Sequence, residues 1–279
     1  MLFRYVLALL LIGATGMPVS AQMATGKVVL ATVVDTRGIP QVDVEADDFV
    51  ITEAGEPREV IDLHVADYPI VLLLDDGRDE RFGVAIRDAA KRFVERIGER
   101  PLAVGLFSND REMLATFDDD RATVLERLTT TPLRPAPAAA ILPVVGMAAR
   151  LVRDTGAPFA AIVLVTAGPV DARATINSDL LPFIVETHAP LHVVALQPRG
   201  DDPENAIPDL LRGLSEQTRG QYTPIFSPAS YGIALDRLAD RMSTELMISY
   251  LEPEHAHEGD VRVGVKKPGA IVLGMGVGR

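Results

Sequence analysis

Three carboxylates lie close together in the sequence, directly after a run of apolar residues. Asp75, Asp76 and Asp79 follow the run Ile70–Leu74. A continuous apolar run that ends in turn residues is typical of a strand buried on both faces. Carboxylates at the end of such a strand can bind a divalent cation, contact a partner, or cap the next helix. This stretch by itself leaves all three roles open.

A second group of possible ligands is the segment Glu254-His-Ala-His-Glu258. The His-x-His spacing would put His255 and His257 on one face of a strand, where two imidazoles flanked by carboxylates could bind a transition metal. The segment lies between two predicted strands, however, and its surroundings are rich in Pro, Glu and Gly. We therefore predict a solvated hairpin loop at this position.

The composition excludes several other kinds of site. The chain of 279 residues has no cysteine, which rules out disulfides, zinc–thiolate sites and thiol nucleophiles. Its formal net charge of −12 argues against binding to nucleic acid or to an anionic membrane surface. The glycine-rich stretch Gly274–Gly278 resembles a nucleotide-binding loop, but no helix can follow it before Arg279. We predict a flexible tail there.

Strands and helices alternate through the middle of the chain, whereas both ends contain strands only. This alternation is typical of an α/β fold with a doubly wound, mostly parallel sheet and helices on both faces. We predict that the two chain ends form a small additional β subdomain, because chain termini often lie close together. The predicted helices are 82–97, 121–128, 138–152, 176–186, 209–218 and 229–244. The predicted strands of the two ends are 27–34, 47–53, 58–64, 246–251, 260–266 and 270–275.

The first residues have the pattern of an export signal. A short positive segment, Met1–Arg4, precedes an apolar core from Tyr5 to Met17, and Val19-Ser20-Ala21 has the small residues of a cleavage site. We predict a signal peptide at 1–21 that is cleaved after Ala21, and a periplasmic or secreted protein that does not insert into a membrane afterwards. The predicted domains are 22–66, packing with 246–279, and a central domain at 67–245.

Four stretches, in this order, resemble a known family. They are Val33–Pro40, Asp47–Pro57, Val71–Asp79 and Val261–Gly269. The middle of the chain resembles the von Willebrand factor type A (vWA) domain, and the mature chain is similar to bacterial secreted VWFA-related proteins. The resemblance implies a Rossmann-like fold and a family that mostly mediates contacts between proteins.

The resemblance also implies where a metal would bind. The metal-ion-dependent adhesion site of the family uses Asp-x-Ser-x-Ser after the first strand, a loop Thr, and an Asp after the fourth main strand. Asp75 matches the first Asp, Gly77 and Asp79 replace the two Ser residues, Ala139 replaces the Thr, and Ala167 replaces the last Asp. Mg²⁺ needs near-octahedral oxygen ligands. We therefore expect no metal and no cofactor, the alternative being weak Mg²⁺ binding at Asp75 with Asp79.

These observations predict a non-enzymatic module that binds another protein without a metal. The contact would lie on the top face, around 75–79, 108–110, 135–140 and 167–171. We expect Asp76 and Asp79 to cap the following helix, and Arg78 to pair with one of them or with Asp110. The candidate partner-binding residues are Asp75, Asp76, Arg78, Asp79, Asn109, Asp110, Ala139 and Ala167.

Two alternatives belong to other functional classes. One is a metal-dependent adhesion protein or hydrolase that uses Asp75, Asp76 and Asp79, or the pair His255 and His257. The other is a structural subunit of an envelope assembly. Bound stoichiometric metal would favour the first alternative, and co-purification with other envelope proteins in a fixed ratio would favour the second.

Overall fold

The computed structural model describes residues 25–76, 79–107, 112–135, 141–167, 180–197, 207–252 and 259–278. The strands are β1 (Thr25–Asp35), β2 (Phe49–Glu53), β3 (Glu56–Arg58), β4 (Val60–Val65), β5 (Ile70–Leu74), β6 (Leu102–Leu106), β7 (Glu112–Ala115), β8 (Ala161–Thr166), β9 (Leu191–Leu196), β10 (Tyr222–Ile225), β11 (Glu245–Glu252), β12 (Val261–Val265) and β13 (Ala270–Gly278). The helices are α1 (Glu80–Arg96), α2 (Arg121–Thr130), α3 (Ile141–Asp154), α4 (Leu180–Glu186), α5 (Ile207–Gln217) and α6 (Ser230–Met242), and a single 3-10 turn spans Ala46–Asp48.

The central sheet has six strands in the order β10-β9-β8-β5-β6-β7. All neighbours pair in parallel except β6 and β7. Every residue of β5, β6 and β8 is buried, because helices cover both faces of the sheet. One face packs against α1, α2 and α6, and the other against α3, α4 and α5. The predicted doubly wound α/β fold is confirmed.

The two chain ends form antiparallel sheets beside this domain. Strand β1 pairs with β13 on one side and with β11 on the other, and β4 pairs with β11. A second sheet, in the order β12-β2-β3, packs on them through a core that includes Val29, Phe49, Ile51 and Ile248. The opposite side of β1 contributes Val28 and Leu30 to the core of the central domain. The additional β subdomain predicted from the two chain ends is therefore present.

The prediction of a flexible glycine-rich tail is wrong. Gly276 and Gly278 belong to β13, which continues to Gly278. A Cβ atom on Gly276 would lie 3.1 Å from a ring carbon of Phe159, and one on Gly278 would lie 2.8 Å from Cβ of Pro158. Glycine suits these positions because the strand approaches the segment before β8 closely, rather than because the chain must be mobile.

Several boundaries differ from the sequence predictions. Helix α1 begins two residues before the predicted start at Phe82, and α5 begins at Ile207 rather than at 209. Residues 46–48 form a 3-10 turn where the sequence predicted the start of a strand. The predicted signal peptide and the segment with His255 and His257 lie outside the described residues. Within the described ranges, no helix is long and apolar enough to cross a membrane.

Candidate partner-binding site at the carboxyl end of the sheet

Asp75, the first residue after β5, is turned into the protein. It is 3% exposed. Its Oδ2 atom accepts hydrogen bonds from the Thr166 hydroxyl and from the Ala167 N–H, both at 3.0 Å. Its own N–H donates to the Val165 carbonyl at 3.0 Å. Since β5 and β8 are parallel neighbours, Asp75 joins the carboxyl ends of two adjacent strands.

Tyr231, in the first turn of α6, contacts the carboxyl end of β8 at Thr166. The side chain is fully buried, and its hydroxyl donates to the Thr166 carbonyl at 2.8 Å. Burial, with a smaller contribution from the charge of Asp75, raises the pKa of Tyr231 above its usual value. The tyrosine therefore stays protonated and acts as a hydrogen-bond donor that fixes α6 to the end of β8.

Asp76 forms a buried ion pair with Arg87 of α1. Its Oδ1 atom accepts from Arg87 Nη2 at 2.6 Å and from Nε at 3.2 Å, and its Oδ2 atom accepts from the Arg134 N–H at 3.0 Å. Arg87 also donates to the Leu128 carbonyl at 3.5 Å. Asp76 therefore connects β5 to α1 and to the segment that follows α2. The prediction that Asp76 caps the helix is wrong, because Asp79 occupies the N-cap position.

Asp79 is the N-cap residue of α1, as predicted. Its Oδ1 accepts from the Arg81 N–H at 3.0 Å, and its Oδ2 accepts from Arg81 Nη2 at 3.0 Å. The hydrogen bond from the Arg81 side chain is the largest of the contributions that lower the pKa of Asp79. The Asp79 side chain is 44% exposed, so it faces solvent while it caps the helix.

The four predicted site residues that the structure describes differ in their exposure to solvent. Asp75, Asp76 and Ala167 are each 3% exposed, and of these four candidates Asp79 alone presents its side chain to solvent. Asp75 and Ala167 are brought into contact, as the order of the strands requires. The remaining predicted residues, Arg78, Asn109, Asp110 and Ala139, lie outside the described residues, and so does Gly77.

Among the side chains described at this edge, few offer an oxygen to an octahedral Mg²⁺ ion. Ala167 has no side-chain oxygen, and Oδ2 of Asp75 already accepts two hydrogen bonds from the protein. Mg²⁺ binds through oxygen ligands at near-ideal geometry, so losing ligand atoms cannot be offset by small movements. In the described part of the chain, no three His, Asp or Glu side chains are placed to hold a metal ion.

Sequence reasoning missed three residues of this network: Thr166, Arg87 and Tyr231. Arg87 had a detectable signal, because it lies at helical spacing from the buried positions Gly83 and Ala90 of α1. A charged residue on the buried face of a helix requires a partner. Thr166 and Tyr231 could be linked to Asp75 only once the strand order was known.

Comparisons with known proteins identify the fold. No family model matches the sequence, and no curated protein matches it. A von Willebrand factor type A protein from Catenulispora acidiphila superimposes with a TM-score of 0.52 at 13% identity, over 94% of this chain and 74% of that chain. Proximal thread matrix protein 1 from the mussel byssus gives a TM-score of 0.51 at 12% identity, over 63% of this chain and 48% of that chain.

These similarities establish the architecture rather than the activity. At such low identity, a structural match shows that the backbone follows the same path, whereas function depends on the residues of the site. The chain has the fold of the vWA domain, as the sequence resemblance implied. The alignment with the Catenulispora protein extends over nearly the whole chain, so it also includes most of the strands outside the central domain.

Proposed function

We propose that the protein is an exported, non-enzymatic vWA-like module that binds another protein without a metal ion. The observation that supports this most strongly is the position of Asp75. The carboxylate that matches the first metal ligand of the family is buried and accepts hydrogen bonds from Thr166 and Ala167. It therefore serves to join β5 and β8 instead of facing a ligand.

The neighbouring acids support the non-enzymatic part of the proposal. A carboxylate that acts as a general base or binds a catalytic metal must reach the substrate or the ion. Asp76 is buried and paired with Arg87, and Asp79 is engaged by Arg81 at the start of α1. Each acid thus has a structural role that accounts for its presence.

The binding role can be tested by capturing partners from an envelope extract with the mature chain, residues 22–279, in Mg²⁺ and in EDTA. We expect the same captured proteins in both conditions. The variant Asp79→Ser keeps a capping side chain but removes the exposed charge, so we expect it to weaken capture. Asp120→Ser is the matched control, because Asp120 caps α2 through the Thr123 N–H at 2.7 Å.

Three results of the same experiment would contradict the proposal. Loss of capture in EDTA would show that binding depends on a metal. If Asp79→Ser and Asp120→Ser weakened capture equally, the top face would not be the surface that contacts the partner. Capture of the same envelope proteins in a constant ratio, unaffected by either variant, would favour the structural-subunit alternative.

The proposed export depends on residues 1–21 and has its own test. N-terminal sequencing of the protein expressed with its first 21 residues should yield Gln22 as the first residue, recovered outside the cytoplasm. A protein that retains Met1 and stays with the cytoplasmic fraction would contradict this part of the proposal.

A further inference from the structure

A groove of about 320 Å³ lies between the edge strand β10 and helix α6. Its lining includes the buried apolar residues Val193, Ile225 and Leu238 together with polar residues such as Thr223 and Ser230. Two large apolar side chains on its rim are open to solvent: Phe226 is 60% exposed and Ile233 is 56% exposed. A pocket of this size accommodates one or two side chains of a partner rather than a whole helix.

Arg237 of α6 lines this groove, and Arg241, one helical turn later, contacts two of its lining residues. Arg237 is exposed, and within the described ranges no carboxylate lies at ion-pair distance from it. Arg241 donates to Oε1 of Gln221 at 2.7 Å and lies 3.1 Å from Nδ1 of His192. Since arginine has no acceptor atom, this ring nitrogen must be the acceptor, and His192 is neutral.

The charges of α6 are divided between its two sides. Its acidic residues Asp236 and Asp240 form ion pairs with Arg92 and Arg96 of α1. Arg237 instead lines the groove, and Arg241 contacts Gln221 and His192, which also line it. The whole chain carries a formal net charge of −12, whereas Arg237, with no carboxylate at ion-pair distance in the described ranges, lies beside the exposed side chains of Phe226 and Ile233. Such a surface is complementary to a segment of opposite charge.

We propose that this groove binds an acidic peptide segment of a partner protein that also carries an apolar side chain. The carboxylates would pair with Arg237 and Arg241, and the apolar side chain would pack between Phe226 and Ile233. Recognition would be through side chains, because β10 is four residues long and Pro224 has no N–H to offer to an added strand. The groove shares none of the residues assigned to the top face, so the inference does not depend on the proposed function.

A phage library of random dodecapeptides, selected on the immobilised mature chain, provides the test. We expect enrichment of peptides that combine Asp or Glu with an aromatic or aliphatic residue. The selected peptides, made synthetically, should bind Arg237→Glu at least about tenfold more weakly, because the charge is reversed. Arg212→Glu is the matched control: Arg212 lies over the ring of Tyr222 on the α5 side of β10, and its variant should bind within about twofold of the original.

Further measurements test whether Phe226 contacts the bound peptide and whether the groove instead binds a second copy of this chain. Phe226→Ser should weaken the selected peptides as strongly as Arg237→Glu, and Val84→Ser, an exposed apolar residue of α1, should not. The inference fails if no peptides are enriched, if basic or neutral peptides are selected, or if Arg237→Glu binds them unchanged. Self-association in analytical ultracentrifugation that Arg237→Glu abolishes would also overturn it, in favour of a second copy as the occupant.

Discussion

The carboxyl end of β5 and the groove beside α6 both contain charged side chains, but the two regions differ in where the partners of those charges lie. Asp75 and Asp76 are buried and have partners within the protein, from β8 and α1. Arg237 is exposed and has no carboxylate partner in the described part of the chain. A buried charge must be paired, whereas an exposed one can be used for recognition. The two buried acids of the cluster after β5 therefore have structural roles, and recognition is left to exposed charges such as Asp79 and Arg237.

The largest effect should come from breaking the buried pair at the end of β5. Asp76→Ala leaves the Arg87 guanidinium without its carboxylate, and we expect the free energy of unfolding to fall by about 3–5 kcal/mol in urea denaturation. The control is Asp76→Leu combined with Arg87→Met, which removes both charges and should recover most of this loss. A loss below about 1 kcal/mol for Asp76→Ala, typical of exposed ion pairs, would contradict the structural role.

Asp75 should have the next largest effect on stability. Asp75→Ala removes the acceptor of the Thr166 hydroxyl and the Ala167 N–H, so two buried donors lose a partner. We expect a loss of about 1–3 kcal/mol for the buried polar groups left unpaired, measured in the same denaturation series. An unchanged stability would mean that Asp75 does not hold the two strand ends together, and would leave it available for another role.

His192 should make the free energy of unfolding depend on pH. Burial, and to a lesser extent the charge of Arg241, lower its pKa from 6.5 to about 3. Between pH 6.5 and pH 3, His192 therefore binds a proton in the unfolded chain but not in the folded chain. The stability that results from its neutral state is fully present above pH 6.5 and is lost as the pH falls toward 3. The expected loss between pH 7 and pH 5 is about 2 kcal/mol. His192→Gln should flatten this dependence in urea denaturation, and an identical slope in both proteins would refute the assignment.

The smallest effect is expected at Asp79, because its side chain is 44% exposed whereas those of Asp75 and Asp76 are buried. Asp79→Ala should destabilise the protein less than either buried substitution, and Asp79→Ser should restore most of that loss because serine also caps helices. Arg81 lowers the pKa of Asp79 below 3.8, so its contribution is present above that value and disappears as the pH falls through the lowered pKa. Equal losses for Ala and Ser would show that the cap is unimportant.

The sequence was sufficient for those features that depend on local pattern. The buried runs of β5 and β8, and the acid that caps α1, follow from periodicity and from the chemistry of helix termini. The pairing of Asp76 with Arg87 spans 11 residues and a change from strand to helix, so it depends on the packing of α1 on the sheet. Gly276 was misinterpreted for the same reason, because its close neighbour Phe159 is distant in the sequence.

The central proposal is that Asp75 is a structural residue that binds no metal. The most direct measurement is the anomalous diffraction of Mn²⁺ in crystals of the mature chain soaked with MnCl₂, a cation that accepts the same hard oxygen ligands as Mg²⁺. We predict no ion bound to Asp75, with its carboxylate still hydrogen-bonded to Thr166 and Ala167. An octahedrally coordinated ion bound to Asp75 would contradict the account.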